Sequence, residues 1–71
     1  MMIIIKDVTQ LGSAVQQTRK KLGLKQSEVA FAAGVGTRLI VEIERGKTTA
    51  QIGKVLKVLD VLGFEIRLSD E

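Results

Sequence analysis

The sequence predicts a mainly α fold, a bundle of four helices with a β-strand at its C-terminal end. Three features lead there. Apolar residues recur at helical spacing in stretches that stop at glycines, residues able to cap a helix precede two of those stretches, and the last segment switches to strict alternation. The expected elements are helices over 8–22, 26–33, 37–45 and 50–62 and a strand over 64–69, in a single domain spanning 1–71.

Asp7 suits the N-cap of the first helix, with Gln10 three residues later as its capping-box partner. Leu11, Val15, Thr18 and Leu22 follow at helical spacing until Gly23. The second helix, "QSEVAFAA", gathers Val29, Ala30 and Ala33 on one side and ends at Gly34, a natural left-handed cap. The third stretch, "GVGTRLIVEIERG", is ambiguous by local pattern. Leu39, Val41 and Ile43 alternate with Arg38, Ile40, Glu42 and Glu44, and the β-branched content suits a half-buried strand. A helix is preferred because a strand from Thr37 would leave the alanine face of the second helix and Val35 with nothing nearby to pack on. A helix buries Ile40 and Ile43 against them.

The fourth helix is expected to be capped by Thr49 and to turn Ile52, Val55, Leu56, Leu59 and Leu62 inward, ending at Gly63. Val58 and Val61 lie off that stripe and form a second apolar edge. A chain of 71 residues has a small core, so this edge is assigned to a partner surface; the alternative is a single wide apolar face in a crowded monomer. The tail "FEIRLSDE" alternates Phe64, Ile66 and Leu68 with Glu65 and Arg67, a period of two. A lone strand needs a mate, and two are open: the Met2–Ile5 run or the same tail of a second copy. Val58, Val61, Phe64, Ile66 and Leu68 are therefore the expected dimer interface.

Composition narrows the function. The chain has no cysteine and no histidine, which removes disulfides, thiolate nucleophiles, zinc fingers and imidazole bases. No cofactor or metal is expected, and an enzyme is disfavoured because convergent titratable groups are scarce. The two aromatic residues, Phe31 and Phe64, read as core, which leaves no stacking platform for single-stranded nucleic acid. "MMIIIKD" is too short for a signal-peptide core or a bilayer span, so no membrane association and a cytoplasmic location are expected. The net charge is +3, and the cations cluster in the middle: Arg19, Lys20, Lys21, Lys25, Arg38, Arg45 and Lys47 against Glu28, Glu42 and Glu44. A basic centre suits phosphate, although scattered lysines also serve solubility.

Two short helices joined by a glycine-bearing turn, "QSEVAFAAGVGTRLIVEIE", match a helix-turn-helix in length and order. Short amphipathic pairs also occur as plain core hairpins. The stretches "RKKLGLKQSEVAFAAGVG", "LIVEIERGK" and "VLKVLDVLG" together resemble the Xre-type helix-turn-helix proteins, the lambda-repressor and Cro class, from about Leu11 to Gly63. In length and tail the chain is most similar to HipB-like antitoxins. That resemblance implies a lambda-repressor-like bundle and a homodimeric repressor of double-stranded DNA acting on a palindromic operator. It also implies autoregulation within a toxin–antitoxin pair and a HipA-type kinase toxin as partner. The alternative is a protein-interaction module that mainly neutralises a partner, with DNA secondary.

Carried over by position, the resemblance puts Thr37, Arg38, Val41 and Glu42 on the outward face of the recognition helix. Arg38 is the candidate for a guanine edge, because its fork can hold O6 and N7 together. Lys25, Gln26, Arg45 and Lys47 are the phosphate candidates, joined by Lys20 or Lys21, and Gln26 is also expected to brace the recognition helix. Arg19 and Glu44 match a buried salt bridge that supports the recognition helix. Three residues depart from the family pattern: Val41 stands at a commonly polar site, Glu42 would repel phosphate unless a cytosine amine meets it, and Lys25 replaces a capping side chain.

Overall fold

The computed structural model describes residues 2–70; Met1 and Glu71, the ends of the expected domain, lie outside them. The elements are α1 (Val8–Lys21), α2 (Gln26–Ala33), α3 (Thr37–Glu44) and α4 (Ile52–Val61). Asp7 caps α1 by accepting from the Gln10 N–H at 2.8 Å, while the Gln10 side chain accepts from the Lys6 N–H at 2.7 Å. Glu28 reaches back to accept from the Lys25 N–H at 2.8 Å, so a carboxylate in the first turn of α2 satisfies the amide at the N-cap, while the Lys25 side chain, which has no acceptor, caps no amide of the first turn. Gly34 ends α2 at φ 70°, a conformation costly for any residue with a Cβ. The chain then turns, the Val35 N–H donating to the Ala30 carbonyl at 3.0 Å, and re-enters a helix at Thr37.

The ambiguous third stretch is thus helical. Ile40 and Ile43 are buried with Val15, Val29, Ala30 and Ala33, and Val35 and Leu39 pack against that cluster. α3 lies between α1 and α2, and α4 closes the core from the α2 side. Two glycines allow the closest approach. A Cβ on Gly12, mid-way along α1, would overlap the Ile43 carbonyl oxygen and meet the Glu44 carbonyl oxygen at 3.0 Å. At the end of α3, Gly46 has φ 78° and sits so near α1 that a Cβ there would lie 3.1 Å from the Thr9 Cα. Gly12 and Gly46 set how tightly α1 is drawn against the end of α3.

Five expectations are corrected, the first four on or beside α2 and α4. α4 turns Val55, Val58, Leu59 and Leu62 into the core, leaving Ile52 68 % and Leu56 43 % exposed. Both stripes share Val55, Leu59 and Leu62; the choice between them depends on where α2 lies, which the periodicity of α4 does not encode. Val58, expected at the dimer surface, is completely enclosed by its own chain. The helix begins at Ile52 after an extended Gln51, with no side-chain cap, so Thr49 stays in the preceding turn. Phe31, expected in the core, is 90 % exposed, because on α2 it points away from the face of Val29, Ala30 and Ala33.

The expected C-terminal strand is absent: residues 64–70 form none, and no strand occurs among the described residues. Alternation marks side chains that share a face, but a ladder needs a second backbone alongside. The other apolar run does not supply it, since Ile3, Ile4 and Ile5 border a groove with Gln10, Ser13, Ala14 and Gln17 of α1. Among the described residues no helix is long and apolar enough to cross a membrane.

Candidate nucleic-acid interface

Arg19 of α1 and Glu44 at the end of α3 meet in a two-pronged ion pair. The Arg19 Nε donates to Glu44 Oε2 at 2.6 Å and Nη2 donates to Oε1 at 3.0 Å. Their side chains are 10 % and 3 % exposed. The remaining Arg19 prong, Nη1, donates to the Leu24 carbonyl at 2.9 Å, which ties down the turn between α1 and α2. Gln26, at the start of α2, donates through Nε2 to Glu44 Oε1 at 3.1 Å. Burial pushes the Glu44 carboxyl up, but the hydrogen bonds from Arg19 and Gln26 outweigh it and hold it below the ordinary carboxylate range. The hydrogen bond to Glu44 raises the Arg19 guanidinium. One carboxylate therefore joins the three helices, and every buried side-chain polar atom among the described residues has a partner.

On the outward side of α3, Thr37 and Arg38 are exposed, the Arg38 side chain at 90 %, whereas Val41 and Glu42 are half-buried. Glu42 Oε2 accepts from Lys47 Nζ at 2.9 Å and from Arg38 Nε at 3.4 Å. The Lys47 hydrogen bond, and secondarily Arg38, holds the Glu42 carboxyl below its usual value. These three residues line a cleft of about 400 Å³, together with Gly36 and Leu39 and with Thr49, Ala50, Gln51 and Lys54 from the far wall. Gln51 and Lys54 were not singled out from the sequence, and Thr49 was named only as a helix cap; a cationic side chain in the first turn of α4, just beyond "RGKTT", was the available signal.

The remaining expected residues fall in two groups. Lys25 and Arg45 are exposed, at the start of α2 and just after α3. Gln26 commits one amide N–H to Glu44, and a side-chain amide carries two, so it can brace α3 and still face an anion. Of the expected dimer residues, Val61 and Phe64 are half-buried against their own core, Ile66 is 55 % exposed and Leu68 98 % exposed. Val61, at the end of α4, and Phe64 still touch the core, and only beyond them does the tail leave it. No group of carboxylates suited to holding a metal ion occurs among the described residues.

The sequence pattern of the helix-turn-helix family matches residues 15–68. The chain belongs to that family. It is 53 % identical over 62 residues, 87 % of this chain and 82 % of the relative, to the "Uncharacterized HTH-type transcriptional regulator y4mF" of Sinorhizobium fredii. Among solved structures it is similar to the HipA–HipB–O2–O3 complex, with a TM-score of 0.88 and 28 % identity covering 97 % of both chains. A HipB variant in complex with an O2 20mer superposes with a TM-score of 0.89 at 26 % identity, covering 99 % of this chain and 97 % of that one. The restriction-modification controller protein C.AhdI from Aeromonas hydrophila matches at 0.73 with 27 % identity, over 83 % of this chain and 86 % of its own. The four-helix arrangement is thus that of the Xre-type members, with HipB antitoxins as structural neighbours.

Proposed function

We propose that the protein is a sequence-specific repressor that binds double-stranded DNA as a homodimer on a palindromic operator. The observation that carries this reading is α3 itself: a helix braced from behind by a buried ion pair, with Thr37 and Arg38 fully outward. A rigid helix of this size fits the major groove, where Arg38 can hold guanine O6 and N7 and Thr37 a base or phosphate. Val41 offers apolar contact to a thymine methyl and Glu42 an acceptor for a cytosine amine. Lys25, Gln26, Arg45 and Lys47 are assigned to phosphates.

The finer reading is an antitoxin that regulates its own operon and holds a HipA-type kinase toxin. Likeness to HipB in the HipA–HipB–O2–O3 complex supports it. The half-buried Val61 and Phe64 and the exposed Ile66 and Leu68 are assigned to the contact with a second copy, where two tails could supply each other's missing strand. The test is selection of duplexes from a randomised library followed by footprinting. Enriched sites with two-fold symmetry and half-sites about 34 Å apart are expected. An asymmetric footprint overturns the dimer, and no enrichment overturns sequence-specific binding.

The exposure of Phe31, Ile52 and Leu56 favours a second reading, a module that chiefly holds a protein partner. Arg38→Ala separates the two. Loss of operator affinity with partner binding retained supports the repressor, whereas loss of neither supports the interaction module.

A further inference from the structure

A carboxylate on the outward face of a recognition helix works against DNA, since it sits where phosphates approach. In this protein Glu42 is not simply solvated. Its side chain is 25 % exposed, and one oxygen, Oε2, takes both Arg38 from one turn earlier on α3 and Lys47 from beyond the Gly46 turn. These two cations are the residues assigned above to a guanine edge and a phosphate. Arg38 meets Glu42 through Nε alone and Lys47 through Nζ, so each keeps other N–H donors for a duplex, but drawing either side chain fully onto DNA loosens its contact with Glu42.

We propose that Glu42 is a specificity-determining and positioning residue: its carboxylate holds Arg38 and Lys47 in the free protein and yields them fully only to a matching duplex. The inference rests on the DNA-binding reading. On a matching site the carboxylate finds a new donor, the amine of a cytosine in the major groove. On a non-matching site it faces acceptors and phosphates with its cations drawn away, a repulsion that a charge-free side chain would not feel. Glu42 thus weakens binding to the wrong sequence more than to the right one. Lys54 on the opposite wall of the cleft and Arg45 after α3 supply phosphate attraction that Glu42 does not tie up.

The experiment compares the full chain with Glu42→Gln on two duplexes of about 20 base pairs, two helical turns. One is the site selected by the wild type and the other has random sequence. Titrations run across a range of salt concentrations, with thermal melts to establish that the variant is folded. Glu42→Gln is expected to bind the random duplex about three- to tenfold more tightly, as two exposed ion pairs are released. Its log–log salt slope should steepen by about 0.9 for each cation that moves to a phosphate. Affinity for the selected site should stay level or fall, so the ratio between the two duplexes narrows. Should Glu42→Gln not fold, Glu42→Ala, which likewise removes the charge, carries the same comparison. A wild type that binds while the variant gains nothing on random DNA overturns this inference alone. A wild type that binds neither duplex overturns the DNA-binding reading and the inference with it.

Discussion

Replacing Arg19 by alanine leaves the Glu44 carboxylate, 3 % exposed, without either prong of its ion pair and with the single hydrogen bond from Gln26. Removing one partner of a buried pair costs about 3–5 kcal/mol, because the survivor keeps its desolvation without compensation. A chain of 71 residues at roughly 0.05–0.15 kcal/mol per residue has a total stability of about 4–11 kcal/mol, so the loss consumes about a quarter of it or more. Each kcal/mol moves the melting temperature of a domain this size by about 4–8 °C, so Arg19→Ala should melt at least about 12 °C lower. Glu44→Ala should fall by a similar amount, leaving a buried guanidinium with the Leu24 carbonyl alone among the partners described above.

The assay is thermal and urea unfolding, followed by circular dichroism at one fixed protein concentration, of the wild type, both single variants and the double variant. The double variant should be less destabilised than the sum of the singles by about 2 kcal/mol or more, since only the first substitution strands a charge. Arg19→Met with Glu44→Leu, which fills the space without charge, should come within about 1–2 kcal/mol of the wild type. Single variants within about 1 kcal/mol of the wild type, or strictly additive effects, would refute the account of Glu44 as the buried junction of three helices.

Gly12→Ala should destabilise by about 1–3 kcal/mol despite the better helix propensity of alanine, because its methyl group displaces backbone of α3 rather than a yielding side chain; melting checks this, and a rise in stability would contradict it. On α4, Val58→Ala should cost about 1.5–3 kcal/mol in unfolding experiments and Leu56→Ala under about 1 kcal/mol, and the reverse ranking would restore the stripe read from the sequence. Acid should weaken the fold through Glu44. Its folded carboxyl lies below the ordinary value of 4.5, so the unfolded chain binds the proton first, and the stabilisation is complete above that pH and is lost as pH falls through the folded value. Glu44→Gln should flatten that part of the stability–pH curve, and parallel curves would count against it.

Most of the helical layout could be read from the residues, because glycine stops and caps act locally. α3 was the instructive case: β-branched residues favour a strand, yet Ile40 and Ile43 had to cover the alanines of α2, and packing prevailed over propensity. The pairing of Arg19 with Glu44 and a brace from Gln26 to the recognition helix came from family resemblance, while the landing of Gln26 on Glu44 itself and the Leu24 carbonyl on Arg19 needed coordinates. Failures occurred where neighbours decide. Val58 and Leu56 are equally apolar and differ only in which side of α4 meets α2. Phe31 was read as core by its chemistry, although its place on α2 aims it outward, and the alternating tail specified a face but not a mate. The pairing of Glu42 with Lys47 escaped notice because Gly46 turns the chain back between them.

The junction at Glu44 also bears on the thermodynamics of docking. With α1, α2 and α3 anchored to one carboxylate and drawn close at Gly12 and Gly46, the reading head has few internal motions left to freeze when it meets a duplex. Little ordering entropy then opposes association, and adaptation to a poor site must come from bending the DNA or rearranging long side chains, not from reshaping the protein.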